Sequence, residues 1–350
     1  MAYSGVMDDI QKCISLQRPS RMPVFATSEE FDVRNAGVIY NDYNRNAELM
    51  AKVQIEAIKR FDYDWAWLQV DDCIEFEVLG VGVTGSGDIL PATCDYLPAT
   101  YETLRGLKAP DPHKDGRMPV LLEAIKRIKK EMGDTVCVSG RIAAPFSAVT
   151  LIFGMTETLL NIYDDPNFIN EAIKFCTDMQ IKFAVEQIKA GADVIWVGDC
   201  NASGHLISSG QYREYALESC KNLINEIHNA GGLTFLHNSE HKLECLEAQT
   251  ETGASAVSIG PGLDISLAKK HVGHRVCLIG NQDPILSLLE GSEEEVYTEA
   301  KRIASAGLSF GGHLFNSGEM IPRDIPEANM RAMIRGAREI GLNLSAGISS

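Results

Sequence analysis

Short apolar runs alternate along most of the chain with longer stretches whose apolar residues recur at helical spacing. The short runs predict strands at 22–25, 65–70, 135–139, 192–197, 233–236, 256–259, 275–279 and 312–316. The longer stretches predict helices at 8–16, 44–61, 119–132, 165–189, 211–229, 243–252, 265–270, 292–306 and 326–340, with a further start at 283–284. Local signals agree with these limits. Asn46 can cap the second helix, and Asp165 followed by Pro166 is a helix start. Gly191 and Gly253 follow helix ends and lead into the next strand. Strands alternating with helices imply a parallel sheet, and eight of them favour a closed (β/α)8 barrel of the TIM type over an open sheet. The expectation is one α/β barrel domain over 1–350, with an N-terminal helical extension. The stretch 81–118 is rich in Gly, Pro, Asp, Thr and Tyr and has weak periodicity, so it reads as a long loop over the barrel mouth.

Candidate chemistry follows from the ends of the strands, because a barrel gathers them at one mouth. Asp71, Asp199, His237 and Glu319 each stand just after a predicted strand. Asp71 and Asp72 are neighbours and should face opposite ways; Asp71 is the preferred acid. His237 and Glu319 make a partial zinc site, which Asp199 or Ser239 would have to complete to reach the usual three protein ligands. Cys200 needs a neighbouring base or cation to be more than a buried thiol. His241 lies four residues after His237, but Asn238 and Ser239 suggest a turn between them. Trp67, with Trp65, Tyr96 and Tyr101, could wall a flat substrate. Asn238, Asn281 and Asn316 are further candidate substrate contacts beside these strand ends.

Composition narrows the classes of function. The chain has 350 residues, of which 45% are hydrophobic and 23% charged, as in ordinary globular proteins. A net charge of −16 argues against nucleic acid and anionic membrane surfaces as partners. The nine cysteines form no C-x-x-C pair, and several sit inside apolar runs, which favours reduced thiols. The first residues do not read as a signal peptide and no apolar run has membrane-spanning length, so the cytoplasm is the expected compartment. No G-x-G-x-x-G opens a helix after the first strand, and the run 82–87 lacks the lysine of a P-loop.

Several motifs in fixed order resemble the uroporphyrinogen decarboxylase superfamily. They are RPSRMPV near the start, Asp71 before Leu79-Gly80, AAPFSAVT at 143–150, the Gly-Ala-Asp to Ser209 segment at 191–209, GNQDP at 280–284, and NSGEMIP followed by PEANMRAMI. The resemblance covers about residues 15–340 and implies a βα barrel. It offers two main activities: the decarboxylase, a lyase of porphyrin biosynthesis, and corrinoid-dependent methyl transfer. The decarboxylase branch carries an arginine-rich N-terminal motif that binds substrate carboxylates; here that stretch reads Ser28-Glu29-Glu30-Phe31-Asp32. Asp71 matches its pyrrole-binding aspartate, and Glu319 stands where it usually has histidine. Thiol-methylating members hold zinc with His-x-Cys and a later Gly-Cys; here those positions read His237-Asn238-Ser239 and Gly318-Glu319. A donor set of nitrogen and oxygen suits an oxygen substrate better than a thiol. The resemblance therefore implies a methyltransferase acting on an O-methylated compound, such as an aryl methyl ether. Its partners would be that small substrate and a separate corrinoid protein carrying cobalamin, with zinc as the implied metal. A methylcobamide:thiol methyltransferase is the remaining alternative, and the barrel could pair as a homodimer.

Overall fold

The computed structural model describes residues 3–309 and 311–343. Seven parallel strands form one sheet in the order β1 (Trp65–Ala66), β4 (Cys137–Ala143), β5 (Val194–Gly198), β6 (Leu233–Glu240), β7 (Ala256–Ile259), β8 (Cys277–Asn281) and β9 (His313–Asn316). Between β1 and β4 in the chain lies a small antiparallel hairpin of β2 (Val83–Thr84) and β3 (Ala92–Thr93). The predicted first strand closes the ring with little ladder. Val24 makes a parallel bridge to Phe315, and its carbonyl accepts from Asp64 N at 3.0 Å. Segment 22–25 thus lies between β9 and β1, where Pro23 has no N–H to give to a longer ladder. The result is a TIM-type α/β barrel, as the alternation of elements predicts. Its interior is filled by large rings: Phe25 stacks on Trp65 at 4.5 Å, and Trp196 meets Trp65 edge-on at 5.5 Å.

Three departures from the sequence pattern shape the mouth. The second strand leaves the sheet after Ala66 instead of running to 70. Val70 takes a left-handed φ of 63°, and its N–H donates to the Glu29 carboxylate at 2.9 Å rather than to a neighbouring strand. This turn swings Trp67, Gln69 and Asp72 over the barrel end. The stretch 81–118 is also more regular than a loop, since it holds the β2–β3 hairpin and a helix at Tyr101–Gly106 capped by Thr100.

The third departure is a pair of helices, Pro145–Phe153 and Met155–Asp164, between β4 and the long helix Pro166–Ala190. The first is almost wholly buried, so it shows no polar face that periodicity could detect. The two meet at a bend of 111° at Gly154, whose φ of 89° suits glycine. No single helix among the described residues is long and apolar enough to cross a membrane.

Candidate active site

A cavity of about 290 Å³ opens at the C-terminal ends of the strands. Its wall comes from the turn after β1 (Trp67, Gln69, Asp72), from β4 (Arg141, Ala143), and from the buried helix (Ser147, Leu151). Trp196, Gly198, Cys200 and Asn201 follow from β5 and its end, His237 from β6, and Glu319 from the loop after β9.

His237 is fixed from several sides. Its Nδ1 lies 2.8 Å from Ser258 Oγ, its ring stacks on Trp196 at 4.7 Å, and its Nε2 lies 3.6 Å from Glu319 Oε2. Burial disfavours the charged imidazole, but Cys200 and the Glu319 carboxylate outweigh it and push His237 up to about 10. Glu319 is held through its backbone. Its carbonyl accepts from Thr27 Oγ1 at 2.5 Å and Ser317 Oγ at 2.9 Å. Gly318 has φ 72°, and a Cβ there would come within 3.3 Å of the Asn281 backbone, so glycine is required beside Glu319.

The paired aspartates have opposite roles from those the sequence suggests. Asp71 is fully buried outside the cavity, bonded to Arg117 through two nitrogens at 2.5 and 3.1 Å and to Cys73 N at 2.9 Å. Asp72 is the one that lines the cavity, where it meets Arg141 at 2.7 Å. Asp199 also lies behind the wall. Its Oδ1 accepts from Ser147 Oγ at 2.8 Å, and burial pushes it up to about 7. It therefore positions Ser147 and is not placed to join His237 and Glu319 as a third ligand.

Among the described residues, no three His, Cys, Asp or Glu side chains converge on a metal-sized point. The expected set of His237, Glu319 and Asp199 is thus not assembled, and these donors do not fit the implied zinc.

The remaining candidates divide. Trp67 and Cys200 line the cavity. Cys200 Sγ lies 3.8 Å from Ser239 Oγ. Tyr96 does not reach the cavity; it is exposed in a separate groove beside Phe153 and Gly154. Asn281 uses its amide N–H groups on the carbonyls of Gly260 and Leu263, and Asn316 accepts from Ser317 N. Asn238 is buried outside the lining. His241 stacks on His205 at 3.7 Å, and β6 runs on to Glu240, so no helix face joins it to His237. Sequence reasoning missed Gln69, Arg141 and Ser147. The signal for Arg141 was available: it is a cation inside the apolar run that becomes β4.

The model of the uroporphyrinogen decarboxylase (URO-D) family matches residues 7–340. The chain belongs to this family. Among curated relatives it is similar to the methylcobamide:CoM methyltransferase MtbA of Methanosarcina acetivorans, 26% identical over 336 residues that cover 94% of this chain and 96% of that protein. It is also similar to the uroporphyrinogen decarboxylase of Actinobacillus pleuropneumoniae, 26% identical over 311 residues that cover 84% of each chain. The solved structure of a methyltransferase from Methanosarcina mazei superposes with a TM-score of 0.87 at 21% identity, over 96% of this chain and 98% of that one. That likeness establishes the shared fold of this URO-D family member.

Proposed function

We propose that this chain is the methyltransferase component of a corrinoid-dependent system. It would move a methyl group from a small O-methylated compound, such as an aryl methyl ether, to a cob(I)alamin carried by a separate protein. The observation that carries this reading is the small cavity, which sets the tryptophan wall of Trp67 and Trp196 against the His237–Glu319 pair. The near full-length similarity to a corrinoid-linked methyltransferase supports it.

The reduced corrinoid supplies the electron pair that takes up the methyl carbon. The pair of the broken C–O bond stays on oxygen, and that oxygen needs a proton. The His237–Glu319 pair is the proton source within the cavity, and His237 is held for that task by Ser258 and Trp196. Trp67 and Trp196 give the ring an apolar wall. No step is assigned to zinc, since its donor set is not assembled.

The lyase alternative is disfavoured by the same cavity. Its volume is at the low end for ligand pockets, whereas a tetrapyrrole with eight carboxylates is large. Arg141 lines it but is already paired with Glu75 and Asp72. The acids at the decarboxylase arginine positions serve the scaffold. Glu29 accepts from Tyr43 at 2.6 Å, and Asp32 from Ser28 at 2.7 Å. The thiol alternative lacks both zinc-binding cysteines, since Ser239 and Glu319 occupy those positions.

The test mixes the protein, a reduced corrinoid carrier and a panel of O-methyl, N-methyl and thiol compounds, and follows loss of the cob(I)alamin absorbance. Turnover with an O-methyl donor is expected. Coproporphyrinogen formed from uroporphyrinogen would overturn the reading in favour of the lyase. Carrier binding without turnover by any donor would instead favour a non-catalytic barrel.

A further inference from the structure

The turn that carries one wall of the cavity is held from behind by a buried acid. Asp71 N donates to Gln69 O at 2.8 Å, which closes a three-residue turn on Val70. Val70 sits there at φ 63°, a region that β-branched residues rarely adopt and that persists only where the surroundings fix it. Both of its backbone polar groups end in one cluster. Its N–H donates to Glu29 Oε2 at 2.9 Å, and its carbonyl meets the Tyr40 hydroxyl. Trp67, Gln69 and Asp72, on either side of Val70, line the cavity.

Counting protons in this cluster fixes the state of Glu29. Tyr43 donates to Glu29 Oε1 at 2.6 Å. The Tyr40 oxygen touches two acceptors, Glu29 Oε2 at 3.0 Å and Val70 O, but has one proton to give. A second proton, on Glu29 Oε2, satisfies both contacts: Glu29 donates to Tyr40, and Tyr40 donates to Val70 O. The surroundings agree. Glu29 is fully buried, and its bonds go to two phenols and one amide. The charge that faces it from the turn is the Asp71 carboxylate, while Arg117 is bound to Asp71 and Glu77. On its own helix, Asp32 bonds Ser28 and Tyr63 instead. Burial and Asp71 push Glu29 up to about 8, and burial raises both tyrosines well above their ordinary 10.

We infer that protonated Glu29 is a positioning residue for the cavity: it latches the strained turn at Val70, and loss of its proton frees the wall formed by Trp67, Gln69 and Asp72. On ionisation the Tyr40 proton turns to the new carboxylate, so Val70 O loses its donor. The carboxylate is then buried beside Asp71, a cost that is relieved when the turn opens and admits water. The latch is closed below a pH of about 8 and opens above it, as for any acid whose folded form holds its proton more tightly than the unfolded chain. This device goes beyond the proposed methyl transfer and acts whatever the cavity binds.

Hydrogen exchange followed by mass spectrometry, at about pH 6 and about pH 9 and corrected for the intrinsic rate, reads the turn directly. In the wild-type protein, protection of peptides covering 67–73 should fall about tenfold between the two, as for one lost buried hydrogen bond, while β4 holds within about twofold. Glu29→Gln offers Tyr40 an N–H at every pH, so its 67–73 segment should show no such fall. Tyr40→Phe removes the bond to Val70 O outright and should lower protection at both pH values. In infrared spectra, a carbonyl band of protonated carboxyl that is present at the lower pH and lost at the higher should be missing from Glu29→Gln. Equal protection of 67–73 at both pH values in the wild type, a fall that persists in Glu29→Gln, or an infrared band unaltered in that variant would overturn the latch. If a variant fails to fold, the wild-type exchange measurement decides by itself.

Discussion

At the level of single residues, the adjacent acids Asp71 and Asp72 show how one position along the chain decides a role. Asp71 neutralises the buried Arg117, whereas Asp72 faces the cavity and Arg141. Asp71→Ala is expected to destabilise the fold by about 1–3 kcal/mol, because the buried Arg117 is left with its bonds to Glu77 alone. Asp72→Ala should change unfolding far less, since its side chain is half exposed, and should act on substrate affinity. Denaturant titration beside ligand binding checks the pair. The sequence could place both acids at a strand end, but could not say which faced inward. The usual alternation of side chains fails there because Val70 turns left-handed and bonds to Glu29, which lies 41 residues earlier. His237 and Glu319 were legible as strand-end residues, and the structure brings them together. Asp199 was legible in the same way, but its carboxylate is turned to Ser147.

At the level of elements, most strands and helices follow from apolar periodicity and caps. One example is Ser292, whose capping box with Glu295 opens the helix Glu293–Gly307. The buried helix Pro145–Phe153 did not follow, because an element buried on every side has no amphipathic signature. That helix carries Ser147 and Leu151 into the cavity. Ser147 donates its hydroxyl to Asp199 Oδ1, and the other carboxyl oxygen, Oδ2, is buried without a partner. Ser147→Ala is expected to cost about 1–3 kcal/mol of stability, measured by urea unfolding, because the buried carboxyl loses that donor.

At the level of the whole molecule, the barrel encloses acids whose burial favours their neutral form. Glu29 is raised from its ordinary 4.5 up to about 8 by burial, which outweighs the hydrogen bonds from Tyr43, Tyr40 and Val70. A folded state that holds a proton more tightly than the unfolded chain gains stability below pH 4.5 and loses it as pH rises toward 8. Glu29→Gln is therefore expected to flatten the fall in Tm between pH 6 and 8; an unchanged slope would show that Glu29 is ionised in the folded protein. The barrel class was readable from eight alternating runs. Its closure was less so, since segment 22–25 joins the ring by one bridge and a few hydrogen bonds. If this barrel moves a methyl group from oxygen to a corrinoid carrier, as proposed, the methyl carbon itself must change partners. The most direct measurement supplies a methoxyphenol with a deuterated methyl group and follows both products by mass spectrometry. The label is expected on the corrinoid in equal amount to the demethylated phenol, with Glu319→Gln and His237→Ala slowed at least tenfold. Label that stays on the ether, or transfer unaffected in both variants, would contradict it.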